Sequence, residues 1–557
     1  MTDRPNDPPH SPPHSRPHSM TRAMQSPAVW SLPAALLLCA CTVGTDYHPP
    51  PVSVPPAFSG TRSSAGLASD TRTRSEIRPK SVAGAASDAA SKSAGDIDLS
   101  SWWRQFNDPT LSCLIDRALA DSLTLKAAVS RIREARLKEI EVGAAAYPGI
   151  SATGSALRLH TNGGLGNAIP PQLTSYSAGF DASWEIDLFG ATRRAVEQAS
   201  AEAEAQVWSR RDGEVSLTAE IANDYLSLRV FQARIAVGST ELARQQDVFA
   251  LVGARRRAGF ITALDVNQQS TLVATTAAQL PQLRDEARAR IHALGVLLGE
   301  PPEALESELA VPTAAAAVGM EGNPGTLSAT GVVGAAGAVS AAGGAGTVAG
   351  EGPARSAISS PWPALSLGIP ADLVLRRPDI RRAERELAAS TAAVGVKQAS
   401  LYPKLKLYGL PLFAGMSLGD LFSHKNLVLA ALGMASVPIL DAGRSRAAIG
   451  EAEEQRQQAE LAYRLVILGA LRDVEDAAVR LDAERMRSGS LIEAVHAAAN
   501  SLIIAQDQYR AGSVTFVNVL QAQFAVLGAQ DQLTVSQGLV MTDLVAAYKA
   551  LGGGWSP

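Results

Sequence analysis

Residues 174–190 read TSYSAGFDASWEIDLFG, and the next 68 residues, 191–258, contain no proline. In the first stretch Tyr176, Ala178, Phe180, Ala182 and Trp184 alternate with Ser177, Gly179, Asp181, Ser183 and Glu185. Period two places the two sets on opposite faces of a strand, which predicts one apolar and one polar environment. Gly190 ends the strand. The Ala-, Gln-, Glu- and Arg-rich text that follows is interrupted only by Gly213, Gly238 and Gly253. As one helix it would run ~100 Å at ~1.5 Å per residue. Ordinary globular helices average about 11–12 residues, so a strand feeding such a helix predicts a coiled-coil assembly joined to a sheet.

Working outward, the Gly/Asn/Pro-rich stretch 161–173 reads as a loop, and 150–160 as a partner strand before it. Before that strand, 109–146 carries Leu111, Leu114, Ile115, Leu119, Leu123 and Leu125 at core-like helical spacings and stops at Pro148. Beyond the long helix, Gly259 marks a turn and a second helix runs to about Leu298. Val273, Ala277, Leu280, Ala287, Ile291, Leu294 and Leu298 approximate a heptad along it. Pro281 predicts a local kink. These two shorter helices, ~57 and ~60 Å, together match the length of the long one, so one long helix lies beside two stacked short ones.

The pattern then returns. Pro148 corresponds to Pro403, Gly190 to Gly443 and Gly259 to Gly512. Residues 403–413 and 427–438 read as short extended segments, 441–511 as a long helix and 514–551 as a shorter one. The chain is an internal duplication. The expected boundaries are an extension and signal segment at 1–40, a flexible N-terminal segment at 41–97, a first repeat at 98–310, a Gly/Ala-rich insert at 311–361 and a second repeat at 362–557.

The N-terminus indicates the compartment. Residues 1–19 are rich in Pro, His and Ser and build no core. Arg22 precedes an apolar run from Ala28 to Ala40, too short to span a bilayer as a helix and shaped like a signal peptide. The run ends Leu38-Cys39-Ala40-Cys41, a lipobox-like ending that marks Cys41 as the acceptor of a covalent lipid. Thr42 follows rather than Asp, so the inner-membrane retention signal is absent. The four strands of two repeats cannot close a pore alone, and open edges are not tolerated in lipid. An exported chain with such strands therefore calls for closure shared among subunits.

Composition excludes other classes. The chain has 50 Lys+Arg against 54 Asp+Glu, so no basic excess points to a nucleic-acid partner. Its three Cys, two of them in the signal region, form neither a disulfide framework nor a metal-ligand spacing. GxSxG, HExxH and P-loop motifs are missing, which argues against an enzyme and against a bound cofactor beyond the Cys41 lipid.

Several segments then converge. They are Cys41 to Tyr47, Trp102 to Phe106 with Asp108-Pro109, Trp184 to Gly190, Gly368 to Leu373 continuing into Arg376 to Arg381, Leu440 to Arg444, and Ala547 to Trp555. In order and spacing they resemble the outer-membrane factor family of Gram-negative tripartite efflux systems, nearest the OprM/NodT-like lipoproteins and more distantly TolC. The resemblance covers nearly all of 98–555. It implies an α/β membrane protein in which a long coiled-coil α-helical barrel continues into a trimeric 12-stranded transmembrane β-barrel, four strands per protomer. It further implies an outer-membrane duct for small molecules such as drugs, working as a homotrimer with a periplasmic adaptor protein and an inner-membrane pump of the RND type. A type I protein-secretion duct and a non-conducting periplasmic lipoprotein are the alternatives.

The resemblance also places residues. Gly259 and Gly512, glycines suited to left-handed turn dihedrals, would form the periplasmic tip. Asp265 would face a constriction there, and Tyr509 resembles a gate tyrosine. Asn518 and Gln521 stand where TolC-like proteins carry acidic residues, which predicts a weaker acidic ring. Arg255, Arg256 and Arg510 suit the helix dipole at their C-termini and are expected adaptor contacts. The insert 311–361 would decorate the outside of the tunnel.

Overall fold

The structure, a computed structural model, describes residues 42–51, 99–160, 172–310, 371–419 and 421–555. Cys41 and the insert 311–361 lie outside the described residues. Among the described residues seven α-helices and four strands alternate in two similar halves. In the first half α1 (Pro109–Asp121) and α2 (Leu123–Gly143) lead into β1 (Gly149–His160) and β2 (Gln172–Ile186), then α3 (Ala191–Arg257) and α4 (Ala263–Leu298). In the second, α5 (Pro378–Ala399) leads into β3 (Lys404–Gly415) and β4 (Leu427–Ser436), then α6 (Arg444–Arg510) and α7 (Phe516–Ala550). The two long helices are each 67 residues, ~100 Å of rod at ~1.5 Å per residue.

One helical expectation needs correction. The stretch 109–146 is not one helix: Ser122 (φ −51°, ψ 128°) leaves helical space, its N–H capping α1 at the Ala118 carbonyl and its hydroxyl meeting Thr124 Oγ1 at 2.8 Å. Pro281, where a kink is expected, lies within α4, which runs from Ala263 to Leu298.

Helices α2 and α4 both lie along α3, while α5 bridges α3 and α6, and α7 lies along α6 and reaches α3. The main core forms where these helices meet residues 99–106 and 548–555. Trp102 stacks on Tyr548 at 5.2 Å, Tyr548 donates to Gln105 Oε1 at 2.6 Å, and the Gly554 N–H reaches the Leu99 carbonyl at 2.8 Å. Asp108 fixes the start of α1. One oxygen accepts from Thr110 N at 2.9 Å and Leu111 N at 3.2 Å, and the other from the Tyr225 hydroxyl at 2.6 Å. Burial and the Asp108 carboxylate hold the Tyr225 phenol well above its ordinary range despite the Arg229 cation beside it. The second repeat is stapled in by Arg377, which grips Asp379 at 2.7 Å and the Ala550 carbonyl at 2.7 Å. Arg382 reaches Asp212 of α3 at 3.3 Å. Among the described residues no helix is long and apolar enough to cross a membrane.

Candidate functional site

The four strands form one antiparallel sheet in the order β1-β2-β3-β4. Both hairpin connections leave from the same end, and all long helices leave from the other. The seam between repeats is the β2–β3 pairing, from Tyr176 opposite Gly415 to Ile186 opposite Leu405. At its middle the chains crowd: a Cβ on Gly179 would lie 2.5 Å from Leu412 Cα and 2.6 Å from the Pro411 carbonyl. Only glycine fits there, beside a proline that has no N–H for the ladder.

The register sorts the side chains by face. One face carries Ile150, Ala152 and Ala156 of β1, Tyr176, Phe180 and Trp184 of β2, Leu405, Leu407 and Phe413 of β3, and Leu427 and Leu429 of β4. On the opposite face Ser155 Oγ and Ser177 Oγ meet at 2.8 Å. There Glu185 faces Lys406 at 3.3 Å and Lys404 at 3.7 Å. The alternation read in 174–185 is therefore a division between an apolar and a polar face. β1 and β4 are both edges, so each presents an unpaired row of backbone donors and acceptors.

At the helical end of the sheet the strand turns sharply into α3. Gly190 has φ +84°, and a Cβ there would lie 2.9 Å from Thr42 Cγ2. The segment after Cys41 is docked at this junction. Val43 N donates to the Phe189 carbonyl at 3.1 Å. Buried Arg194 donates to the Val43 and Gly44 carbonyls at 3.3 and 3.2 Å and pairs with Asp46 at 2.6 Å and Glu197 at 2.7 Å. Further along, Tyr47 packs on Ala201, Ala388 and Ala389, where burial and the nearby Glu384 push its phenol up to about 12. Sequence reasoning missed Arg194.

The far end of the helices holds the two turns. Gly259 (φ +80°) and Gly512 (φ +75°) take left-handed dihedrals. Each turn closes by the same pair of bonds: Gly259 N to Arg256 O at 3.0 Å with Phe260 N to Arg255 O at 3.0 Å, and Gly512 N to Tyr509 O at 3.1 Å with Ser513 N to Gln508 O at 2.9 Å. That is the Schellman pattern. After the first turn Thr262 and Asp265 form a capping box, the carboxylate accepting from Thr262 N at 2.9 Å and Thr262 Oγ1 at 2.7 Å. After the second, Thr515 and Asn518 occupy the equivalent places, with Thr515 Oγ1 3.5 Å from Asn518 Oδ1. Gln521 is exposed one turn further on.

The turns of the two repeats pack together. Val252 and Leu272 from the first meet Phe516, Val519 and Leu520 from the second in a small cluster that Tyr509 flanks. Tyr509 lies 5.4 Å from the Phe516 ring, and the Arg255 guanidinium sits 5.8 Å above the Tyr509 ring. Arg256 donates to the Ile261 carbonyl at 3.3 Å and Arg510 pairs with Asp507 at 2.8 Å. The structure thus gathers Arg255, Gly259, Asp265, Tyr509, Gly512 and Asn518 at one tip. Among the described residues no group of His, Cys, Asp or Glu is arranged to hold a metal ion.

A duplicated helical rod ending in a four-stranded sheet with two open edges is the protomer of an outer-membrane conduit. The family profile described as "Outer membrane efflux protein" matches residues 114–300 and 369–553, well over half of the chain. The chain belongs to that family, whose members are passive efflux channels of the outer membrane rather than enzymes, assemble as trimers and pair with periplasmic adaptors and inner-membrane RND pumps. Its relatives include the pyoverdine export outer membrane protein OpmQ of Pseudomonas aeruginosa, 30% identical over 82% of this chain and 88% of that protein. Nodulation protein T of Rhizobium leguminosarum bv. viciae is 27% identical over 94% and 92%. The solved structure of the outer-membrane channel OprN superposes with a TM-score of 0.72 at 29% identity, covering 93% of this chain and all of that one.

Proposed function

We propose that three copies join β4 of one protomer to β1 of the next, closing a 12-stranded barrel that crosses the outer membrane and opens into a periplasmic tunnel of α3, α4, α6 and α7. The observation that carries this reading is the sheet itself. It has one face that is apolar up to Arg158 and Thr174 at the hairpin end, and two unpaired edges, and hydrocarbon tolerates unpaired backbone groups only when every edge is closed. Residues 42–47 dock at the strand–helix junction, where the barrel ends, and a lipid on the neighbouring Cys41 thiol enters the inner leaflet beside the barrel. The acyl chains tether the protein there, each buried CH₂ adding about 0.8 kcal/mol.

The tip is the gate. Asp265, Tyr509, Asn518 and Gln521 line or brace the constriction, and Arg255, Arg256 and Arg510 meet the adaptor. The transported class is small molecules handed over by an RND-type pump, consistent with a relative named for pyoverdine export. The test is reconstitution of the purified trimer in a planar bilayer. Stepwise ion conductance that grows when Tyr509→Ala loosens the tip is expected. A trimer that inserts but passes no ions with either protein overturns the reading.

A further inference from the structure

The two hairpins present different chemistry on the face opposite the apolar one. In β1 and β2 that face carries Ser151, Thr153, Ser155, Ser175, Ser177, Asp181 and Ser183, with Leu157, Leu159 and Leu173 confined to its hairpin end. In β3 and β4, beyond Lys404 and Lys406, it carries Tyr408, Leu410, Leu412, Val428, Leu432 and Met434. The Ser155–Ser177 contact and the Glu185–Lys406 pair place both sets on one face. In the closed barrel on which this inference rests, that face must be the lumen, because an ion pair and a ladder of hydroxyls are costly against hydrocarbon. The lipid side of β3 and β4 is already supplied by Leu405, Leu407, Phe413, Leu427 and Leu429. Membrane insertion therefore does not require the aliphatic residues on the inner side, yet Leu432, Met434 and Val428 stand 53, 49 and 46% exposed there.

We propose that this aliphatic stripe is a contact track for exported solutes with a substantial apolar body, neutral amphiphiles above all. An open lumen offers the stripe only water, ions and passing solute, and of these only the solute gains by covering apolar surface. Charge does not select on this face, since Lys404 and Lys406 are balanced by Asp181 and Glu185. Met434 adds a polarizable, adaptable side chain suited to solutes of varied shape. Three hydroxyl hairpins alternate with three aliphatic ones around the lumen, so water keeps a path while an amphiphile slides along the stripe.

A matched pair of probes tests this, n-hexyl glucoside against glucose, added to the trimer in a planar bilayer. Hexyl glucoside should produce resolved current blockades and glucose should not. The combined variant Leu412→Ser, Leu432→Ser, Met434→Ser should shorten the blockades about tenfold, the effect expected for losing contact with a few methylenes, while leaving the ion current unchanged. Ser177→Leu, on the hydroxyl hairpin, should lengthen them. Equal blockades by both sugars, or blockades unchanged in both variants, overturn the proposal. So does a larger ion current in the triple variant with unchanged blockades, which would mean that a segment of this chain covers the stripe. A trimer that passes no ions overturns the conduit reading, and this inference falls with it.

Discussion

The two turns at the tip share a backbone and differ in charge. Both close on a left-handed glycine with the same pair of carbonyl bonds, and both begin the next helix at a threonine. The first then sets Asp265 into a capping box, whereas the second offers Asn518, whose contact with Thr515 is long and exposed. The hairpins repeat the lesson. Their backbones pair in one ladder, but on the face of Ser155 and Ser177 the first is mostly hydroxyl-bearing and the second mostly aliphatic. Duplication preserves what the backbone demands, namely glycine at positive φ, and an apolar set on one face of the sheet. Side chains on the other face and at the exposed tip differ between the halves.

The comparison breaks most severely at the seam that joins the halves. Gly179→Val would drive a side chain into the Leu412 backbone and should abolish assembled trimer in the outer membrane, read by heat-modifiable migration on gels. Gly409→Ala, on the same seam with its nearest neighbour at 3.6 Å, should leave assembly intact. A smaller effect is expected at the junction. Arg194→Ala removes the cation that holds two carbonyls and two carboxylates. It should cost about 1–3 kcal/mol and expose residues 42–51 to protease while trimers persist. Arg193→Ala, whose side chain is exposed, should do neither. The smallest effect separates the two turns. Asp265→Ala should cost about 1 kcal/mol of helix start and alter single-channel conductance, Asn518→Ala should cost little, and Asn518→Asp should make the second turn behave like the first. Matched thermal melts and single-channel recordings on the three variants check this.

Much of the fold was legible in the sequence because it is written in periods and punctuation. The alternation in 174–185 gave the two faces of the sheet, and Gly190, Gly259, Gly443 and Gly512 gave both ends of the long helices to within a few residues. Ser122 escaped because serine is neither a strong helix breaker nor a visible cap until its neighbours are known. The two glycine turns were legible as turns, but the state of Asp265 was not readable, since a carboxylate three residues after a threonine can equally cap a helix or face a pore. Arg194 was invisible for another reason. Its partners lie about 150 residues away, at Val43, Gly44 and Asp46, and no local pattern reports such a contact.

The claim on which the rest depends is that the sheet crosses the outer membrane while the helical tip stays in the periplasm. Single cysteines at Gly419, in the β3–β4 connection, and at Arg257, at the tip, placed in a Cys113→Ser background, test it with a membrane-impermeant maleimide on living cells. The account predicts that Gly419→Cys is labelled on intact cells and Arg257→Cys only after the outer membrane is permeabilised. Labelling of both positions on intact cells, or of neither until permeabilisation, would contradict it.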